Sequence, residues 1–134
     1  MTFHYKQYSA ETIRPIIPIT ILFKGKSLKY EVLVDSGADG CVFHSELAEL
    51  LGIVLLSGKP ISFGGITGIK AKAYLHKVQL SIDEHVFTTE VAFAKIPSRG
   101  YGVVGQKGFF EFFKIGFDYS SKEIEIKEIF TPQR

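Results

Sequence analysis

The 134-residue sequence has little of what several protein classes require. It has one cysteine, Cys41, which excludes an intramolecular disulfide and the disulfide-stabilised scaffolds of small secreted domains. Its three arginines are scattered and its net charge is only +2, so no nucleic-acid-binding face is predicted. No secretory leader pattern opens the chain, and no apolar run approaches the ~18 residues that span a bilayer. We therefore expect a cytoplasmic protein with no nucleic-acid and no membrane partner.

Aspartate is also scarce, although acidic residues in general are not. Only four are present, so any mechanism that needs an aspartate must use one of these: Asp35, Asp39, Asp83 and Asp118. Hydrophobic residues make up 46% of the chain, enough for one compact core, whereas 134 residues are too few for two ordinary domains. The sequence therefore predicts a single domain over residues 1–134, with residues 1–14 as an N-terminal arm.

Short runs of apolar and β-branched residues, separated by turn formers, predict an all-β domain of about seven or eight strands. Residues 16–23 and 28–34 are predicted to form a hairpin around Lys24-Gly25-Lys26. Residues 123–129 alternate strictly between charged residues and isoleucine, which predicts a strand with one solvated face. A terminal strand of this kind also suits pairing across a dimer.

Two short helices interrupt the strands. Leucine and alanine recur at helical spacing over residues 47–51, with Ser45 as the expected N-cap and Gly52 as the C-terminal stop. Residues 107–114 contain four phenylalanines and predict a second, mostly buried helix.

One loop carries the chemistry. The apolar strand Val32-Leu33-Val34 leads directly into Asp35-Ser36-Gly37-Ala38, where a carboxylate, a hydroxyl and a glycine follow one another. Asp-Ser-Gly is also ordinary turn chemistry, so the tripeptide alone favours a capped turn. Its surroundings favour a site, because a glycine-rich hairpin at 63–68 and the element Val103-Val104-Gly105 follow in order.

This order of motifs resembles the retropepsin-like family of aspartic proteases, over residues 16–129. The resemblance implies a closed acid-protease-like β-barrel with one flap hairpin per chain. In it, Asp35 to Ala38 match the active-site loop, and residues 64–68 match the flap tip. Val103, Val104 and Gly105 match the element behind the active-site loop, which supports the site.

The resemblance also implies residue roles. Asp35 is the catalytic carboxylate, Ser36 bonds across the dimer axis, and Gly37 lets backbone and substrate approach. Ala38 offers no hydroxyl to Asp35, so we expect a near-neutral pH optimum. The implied substrate-binding residues are one loop aspartate and the flap-tip residues: Asp39, Gly64, Gly65, Ile66 and Gly68. Where retroviral members often have an arginine, this chain has Gln106, and Arg14 or Lys107 are the cations that remain to pair with Asp39.

The chain has one such loop, whereas the family mechanism needs two aspartates that share a proton. The implied enzyme is a homodimeric endopeptidase acting on peptide or protein substrates, in which the Asp dyad activates a water without metal or cofactor. Two other hypotheses remain: a catalytically silent peptide-binding module on the same fold, and a barrel whose Asp-Ser-Gly loop is only a turn.

Cys41 and His44 lie three residues apart, the spacing of a possible nucleophile and base. A small buried cysteine beside a surface histidine is the favoured interpretation. The remaining histidines are isolated, so no zinc site is predicted.

Overall fold

The computed structural model describes residues 1–64, 70–97 and 100–129. Helix is limited there to α1 (Ser45–Leu50) and a 3-10 turn at Leu55–Ser57, and neither is long or apolar enough to cross a membrane. The strands, in chain order, are β1 (Thr2–His4), β2 (Lys6–Gln7), β3 (Ile13–Arg14), β4 (Ile16–Phe23), β5 (Lys26–Val34), β6 (Val42–His44), β7 (Lys59–Gly64), β8 (Lys70–Ile82), β9 (His85–Ala94), β10 (Gly102–Val104), β11 (Phe113–Asp118) and β12 (Glu123–Glu128). The all-β class predicted from the sequence is confirmed.

Six of these strands close into a barrel. Their order is β4-β5-β10-β6-β9-β8, and β8 returns to pair with β4 at Thr20–Ser81, Ile21–Leu80 and Leu22–Gln79. Strand β7 lies outside the ring and pairs with the first half of β8. The structure thus has the closed barrel that the family resemblance implied, and β7 with β8 forms a hairpin in the position expected for the flap.

The barrel interior is filled by side chains from its strands, since inward-facing and outward-facing residues alternate along each strand. Phe43 packs edge-to-face against Tyr30 and Phe93, with ring centroids 5.2 and 6.0 Å apart. Burial of apolar side chains is the main source of stability in a domain of this size. The largest fully buried side chains are Phe43, Phe93, Phe109, Ile17, Ile21, Leu80, Ile82, Ile124 and Ile126.

The N-cap of helix α1 lies one residue earlier than the sequence predicts. Ser45 is the first helical residue, and His44 is the N-cap, its Nδ1 accepting a hydrogen bond from the Glu46 backbone N–H at 3.1 Å. Gly52 ends the helix as predicted, because its φ of +75° is a conformation that glycine adopts without strain.

We expect His44→Ala to lower the free energy of unfolding by about 0.5–1 kcal/mol, because the Glu46 N–H would lose its side-chain acceptor. Urea denaturation measures this difference, with Ser45→Ala as the matched control. A larger loss in Ser45→Ala than in His44→Ala would show that the serine is the cap after all.

The prediction of a second helix over residues 107–114 is wrong. The segment is a series of turns in which the Phe110 and Glu111 N–H groups donate to Gly105 and Gln106 five residues back, at 3.1 and 3.2 Å. Gly108 has a φ of +99°, which an α-helix does not accommodate, and β11 begins already at Phe113. The expected burial of the aromatic run holds for Phe109 and Phe113, which are 0% and 3% exposed.

A separate three-stranded sheet has the order β1-β12-β11. The alternation predicted for the last strand is observed, since Ile124 and Ile126 are fully buried and Glu125 is exposed. Strand β12 lies between β1 and β11, so both of its edges are already paired within one chain. Along residues 123–126 it therefore has no free edge for a strand of a second copy, contrary to the expectation for this strand. Part of the predicted N-terminal arm is built into this sheet as β1.

Candidate active site

Asp35 lies where a buried strand leaves the barrel. Strand β5 runs parallel to β10, with Leu33 opposite Val103 and Val34 opposite Val104. The ladder continues one step further, because the Asp35 N–H donates to the Val104 carbonyl at 3.0 Å. Val34 and Val104 are 2% and 0% exposed, so the backbone that carries Asp35 is anchored in the apolar core.

Beyond that point the loop folds around the Asp35 carboxylate. The Gly37 N–H donates to Asp35 Oδ1 at 2.9 Å, and the Ala38 N–H donates to the Asp35 carbonyl at 3.2 Å. Asp35 itself is half-buried, whereas Ser36 and Gly37 are exposed. The loop therefore orients a carboxylate with its own backbone and presents its tip to solvent.

Val103, Val104 and Gly105 pass directly behind this loop. A Cβ on Gly105 would lie 2.5 Å from both the Ala38 and the Gly40 carbonyl oxygens, so only glycine fits the crossing. The Gln106 N–H donates to the Ala38 carbonyl at 2.8 Å, and the Lys107 N–H donates to the Asp39 carbonyl at 2.9 Å. Two segments far apart in sequence thus form one rigid unit.

Neither of the cations expected to pair with Asp39 does so. Arg14 donates from Nη1 to the Tyr101 hydroxyl at 2.8 Å, and Lys107 meets Asp39 through its backbone N–H. Among the residues that the structure describes, the Asp39 carboxylate has no ion-pair partner, and its side chain is exposed.

The contact that sequence reasoning missed belongs to Gln106. Its side-chain Nε2 donates to the Ser36 carbonyl, which ties the two crossing segments together a second time. The only sequence signal for it is the position of Gln106 directly after Val-Val-Gly, because the bond joins residues seventy positions apart.

Of the predicted flap residues, only Gly64 lies within the described part of the chain. It ends β7, where it pairs with Lys70 at the start of β8. Gly65, Ile66 and Gly68 lie outside the described residues.

The segment that follows the Asp35 turn borders a cavity of about 760 Å³, a size typical of ligand sites, although Asp35 itself is not among the lining residues. Ala38, Asp39 and Gly40 form one of its walls. The rest of the lining is partly apolar and partly charged, and includes Val42, Ile61, Leu75, Ala92, Phe112, Lys77, Glu90, Lys107 and Glu111. An extended chain laid along the loop would find both apolar and charged contacts there.

Cys41 and His44 do not form a catalytic pair. Burial raises the pKa of the Cys41 thiol to about 11, and its Sγ faces the Lys107 carbonyl at 3.7 Å. His44 caps α1 with its Nδ1. In the described ranges, no three His, Cys, Asp or Glu side chains gather as they would around a metal ion.

We expect Cys41 to resist alkylation in the native protein. With a pKa of about 11, only about one thiol in a thousand is ionised at pH 8, and the Cys41 residue is 3% exposed. Iodoacetamide labelling followed by intact-mass measurement should be slow in buffer and rapid in urea. Labelling at equal rates in both would contradict the buried, protonated state of this thiol.

Comparisons with known proteins agree with this fold. A family model described as "Aspartyl protease" matches residues 17–107. Among solved structures, a retropepsin-like aspartic protease from Rickettsia conorii superposes with a TM-score of 0.59 at 20% identity, covering 81% of this chain and 88% of that one. The EIAV protease, solved with the inhibitor HBY-793, superposes with a TM-score of 0.54 at 22% identity, covering 75% and 88%. The comparison with curated proteins finds no match.

Proposed function

Because the chain belongs to the aspartyl protease family and has the retropepsin-like fold, we propose that it is an aspartic endopeptidase with a site shared by two copies. One observation carries the proposal. Asp35 is held half-buried at the end of a core strand, the neighbouring Ser36 and Gly37 are exposed, and Ala38 and Asp39 further along the same loop line a large cavity. A carboxylate oriented by its own backbone and left accessible is suited to proton transfer.

Asp39 has a substrate-binding role in the proposal, and the two remaining aspartates of the chain do not supply the second carboxylate. Asp83 lies in the turn between β8 and β9. Asp118 accepts hydrogen bonds from the Ser120 hydroxyl at 2.7 Å and from the Ser121 N–H at 3.2 Å. These bonds lower the pKa of Asp118 and hold it in its own turn. The second carboxylate in the proposal is therefore Asp35 of a second copy, related to the first by a two-fold axis.

In the proposed mechanism, two Asp35 carboxyl groups share one proton, because two like charges held close together are costly. The ionised carboxylate takes a proton from the water between them, and the water oxygen attacks the peptide carbonyl carbon. The protonated carboxyl donates its proton to the carbonyl oxygen. When the tetrahedral species collapses, the C–N bond breaks and the carboxyl that took the water proton passes it to the leaving nitrogen. A hydroxyl of the tetrahedral species returns its proton to the other carboxylate, so a peptide and water give an acid and an amine and the dyad again holds one proton.

The roles proposed for the surrounding residues follow from their positions. Ser36 is exposed at the loop tip, where its hydroxyl is available to the loop of a second copy. Asp39 lines the cavity, where its carboxylate can accept from a substrate N–H group.

We place the enzyme in the cytoplasm, because its one cysteine is buried and reduced and no disulfide is required.

The test is cleavage of a random peptide library by the purified chain, read by mass spectrometry. We expect endoproteolytic products without added metal or cofactor. Specific activity should rise with chain concentration until dimers saturate, because a monomer holds half of a site. Binding of peptides without cleavage, by a chain that sedimentation shows to be monomeric, would instead support the silent peptide-binding module.

A further inference from the structure

Gln106 is joined to the catalytic loop by two different hydrogen bonds. Its backbone N–H donates to the Ala38 carbonyl at 2.8 Å, and its side-chain Nε2 donates to the Ser36 carbonyl. Since a carbonyl oxygen only accepts, the side chain must point its NH₂ group, not its oxygen, at Ser36. The amide therefore acts as a donor at this site.

The Ser36 carbonyl belongs to the same peptide group as the Gly37 N–H. That N–H donates to Asp35 Oδ1 at 2.9 Å. One peptide group, Ser36–Gly37, therefore takes part in both hydrogen bonds. Its oxygen accepts from the Gln106 amide, and its N–H donates to the Asp35 carboxylate. A peptide whose oxygen accepts a hydrogen bond becomes a stronger donor at its nitrogen, so the second bond is strengthened by the first.

We propose that Gln106 is a positioning residue, which orients the Asp35 carboxylate through the Ser36–Gly37 peptide group. The role rests on the proposed endopeptidase function, since orienting Asp35 matters for catalysis only if Asp35 reacts. Gln106 does not touch the carboxylate itself. Its effect is to fix the plane of the peptide that does, at a loop whose tip is otherwise exposed.

The geometry also explains how the chain manages without an ion pair at this position. A neutral amide and a guanidinium can both donate to a carbonyl oxygen. The amide anchors the loop through Ser36 without requiring a charge on Asp39, whose carboxylate lines the cavity. The consequence is that the positioning role needs a donor at residue 106 and not a cation.

Two substitutions separate these requirements. Gln106→Met keeps the length of the side chain and removes the donor, whereas Gln106→Arg keeps a donor. For Gln106→Met we expect kcat on a peptide cleaved by the wild type to fall about three- to tenfold, the factor typical of one neutral hydrogen bond, with KM unchanged. Gln106→Arg should stay within about twofold of the wild type. Sedimentation at the assay concentration confirms that the compared species are all dimers.

A second readout reports the peptide group directly. Labelling serine carbonyl carbons with ¹³C and glycine nitrogens with ¹⁵N gives signals from only two Ser-Gly pairs, Ser36-Gly37 and Ser57-Gly58. We expect the Gly37 amide proton to move upfield in Gln106→Met and to stay near its place in Gln106→Arg. The Gly58 signal is the internal control, because its N–H donates to the Leu55 carbonyl, away from the loop.

The outcomes are distinct. An unmoved Gly37 signal in Gln106→Met would overturn the proposal, and so would equal losses of kcat in the methionine and arginine variants. A change in KM alone would point to substrate binding and also overturn it. If the wild type cleaves no peptide, the endopeptidase proposal fails, while the Gly37 signal still decides whether Gln106 orients the loop.

Discussion

Replacing Asp35 by asparagine is expected to abolish peptide cleavage, with kcat/KM falling by about 10³-fold or more. Asparagine neither takes a proton from water nor donates one to the substrate carbonyl, so both halves of the proposed proton transfer are lost. Its Oδ1 can still accept from the Gly37 N–H, the bond that shapes the loop at 2.9 Å. The substitution therefore removes the chemistry and preserves the local structure.

The thermal midpoint of Asp35→Asn should accordingly stay close to that of the wild type. Asp83→Asn is the matched control, because the same chemical change falls in an exposed turn, where asparagine tolerates the φ of +54°. It should cleave peptides as the wild type does. Cleavage by Asp35→Asn at the wild-type rate would end the proposal that this carboxylate is catalytic.

Mixing the two chains tests whether the site is shared. When subunits exchange at random, a heterodimer holds one aspartate and one asparagine, and only wild-type pairs are active. Adding nine parts of Asp35→Asn chain to one part of wild type should then reduce the activity of the wild type to about a tenth. Undiminished activity would mean that each chain acts alone, which the single Asp-Ser-Gly loop does not provide for.

The strands that the sequence predicted well are those in which local pattern and tertiary environment agree. Residues 16–23 were predicted as a strand and form β4 with the same bounds, and the turn after it has positive φ at Lys24 and Gly25. That turn geometry fits the right-handed twist of the two strands. The alternation around Ile124 and Ile126 likewise reports directly on a buried face.

What the sequence could not predict depends on contacts between distant residues. The segment after Gly105 has a helical pattern, but the positive φ of Gly108 and the pairing of Phe113 with Glu128 convert it into turns and a strand. Pairing of β1 with β12 joins the two ends of the chain, so no local window contains it. In the candidate site, Asp35 was identifiable from its motif, whereas the donor role of Gln106 exists only once the two segments cross.

The crossing itself gives the second large effect, that of Gly105→Ala. The added Cβ would lie 2.5 Å from the Ala38 and Gly40 carbonyl oxygens and 2.9 Å from the Ala38 carbonyl carbon. All three are backbone atoms, so no side chain can rotate away, and the loop that carries Asp35 must itself move. Overpacking of this kind costs about 1–3 kcal/mol in the free energy of unfolding, measured by urea denaturation.

Gly116→Ala is the matched control, because a Cβ on Gly116 meets no atom within 4 Å and alanine is the better strand residue. Its stability should equal or slightly exceed that of the wild type. In Gly105→Ala, activity should fall further than the loss of folded protein explains, since the displaced Ala38 and Gly40 carbonyls flank the loop that orients Asp35. Equal stability and activity in the two variants would mean that the crossing can relax without moving the catalytic carboxylate, and that Gly105 supports neither fold nor site.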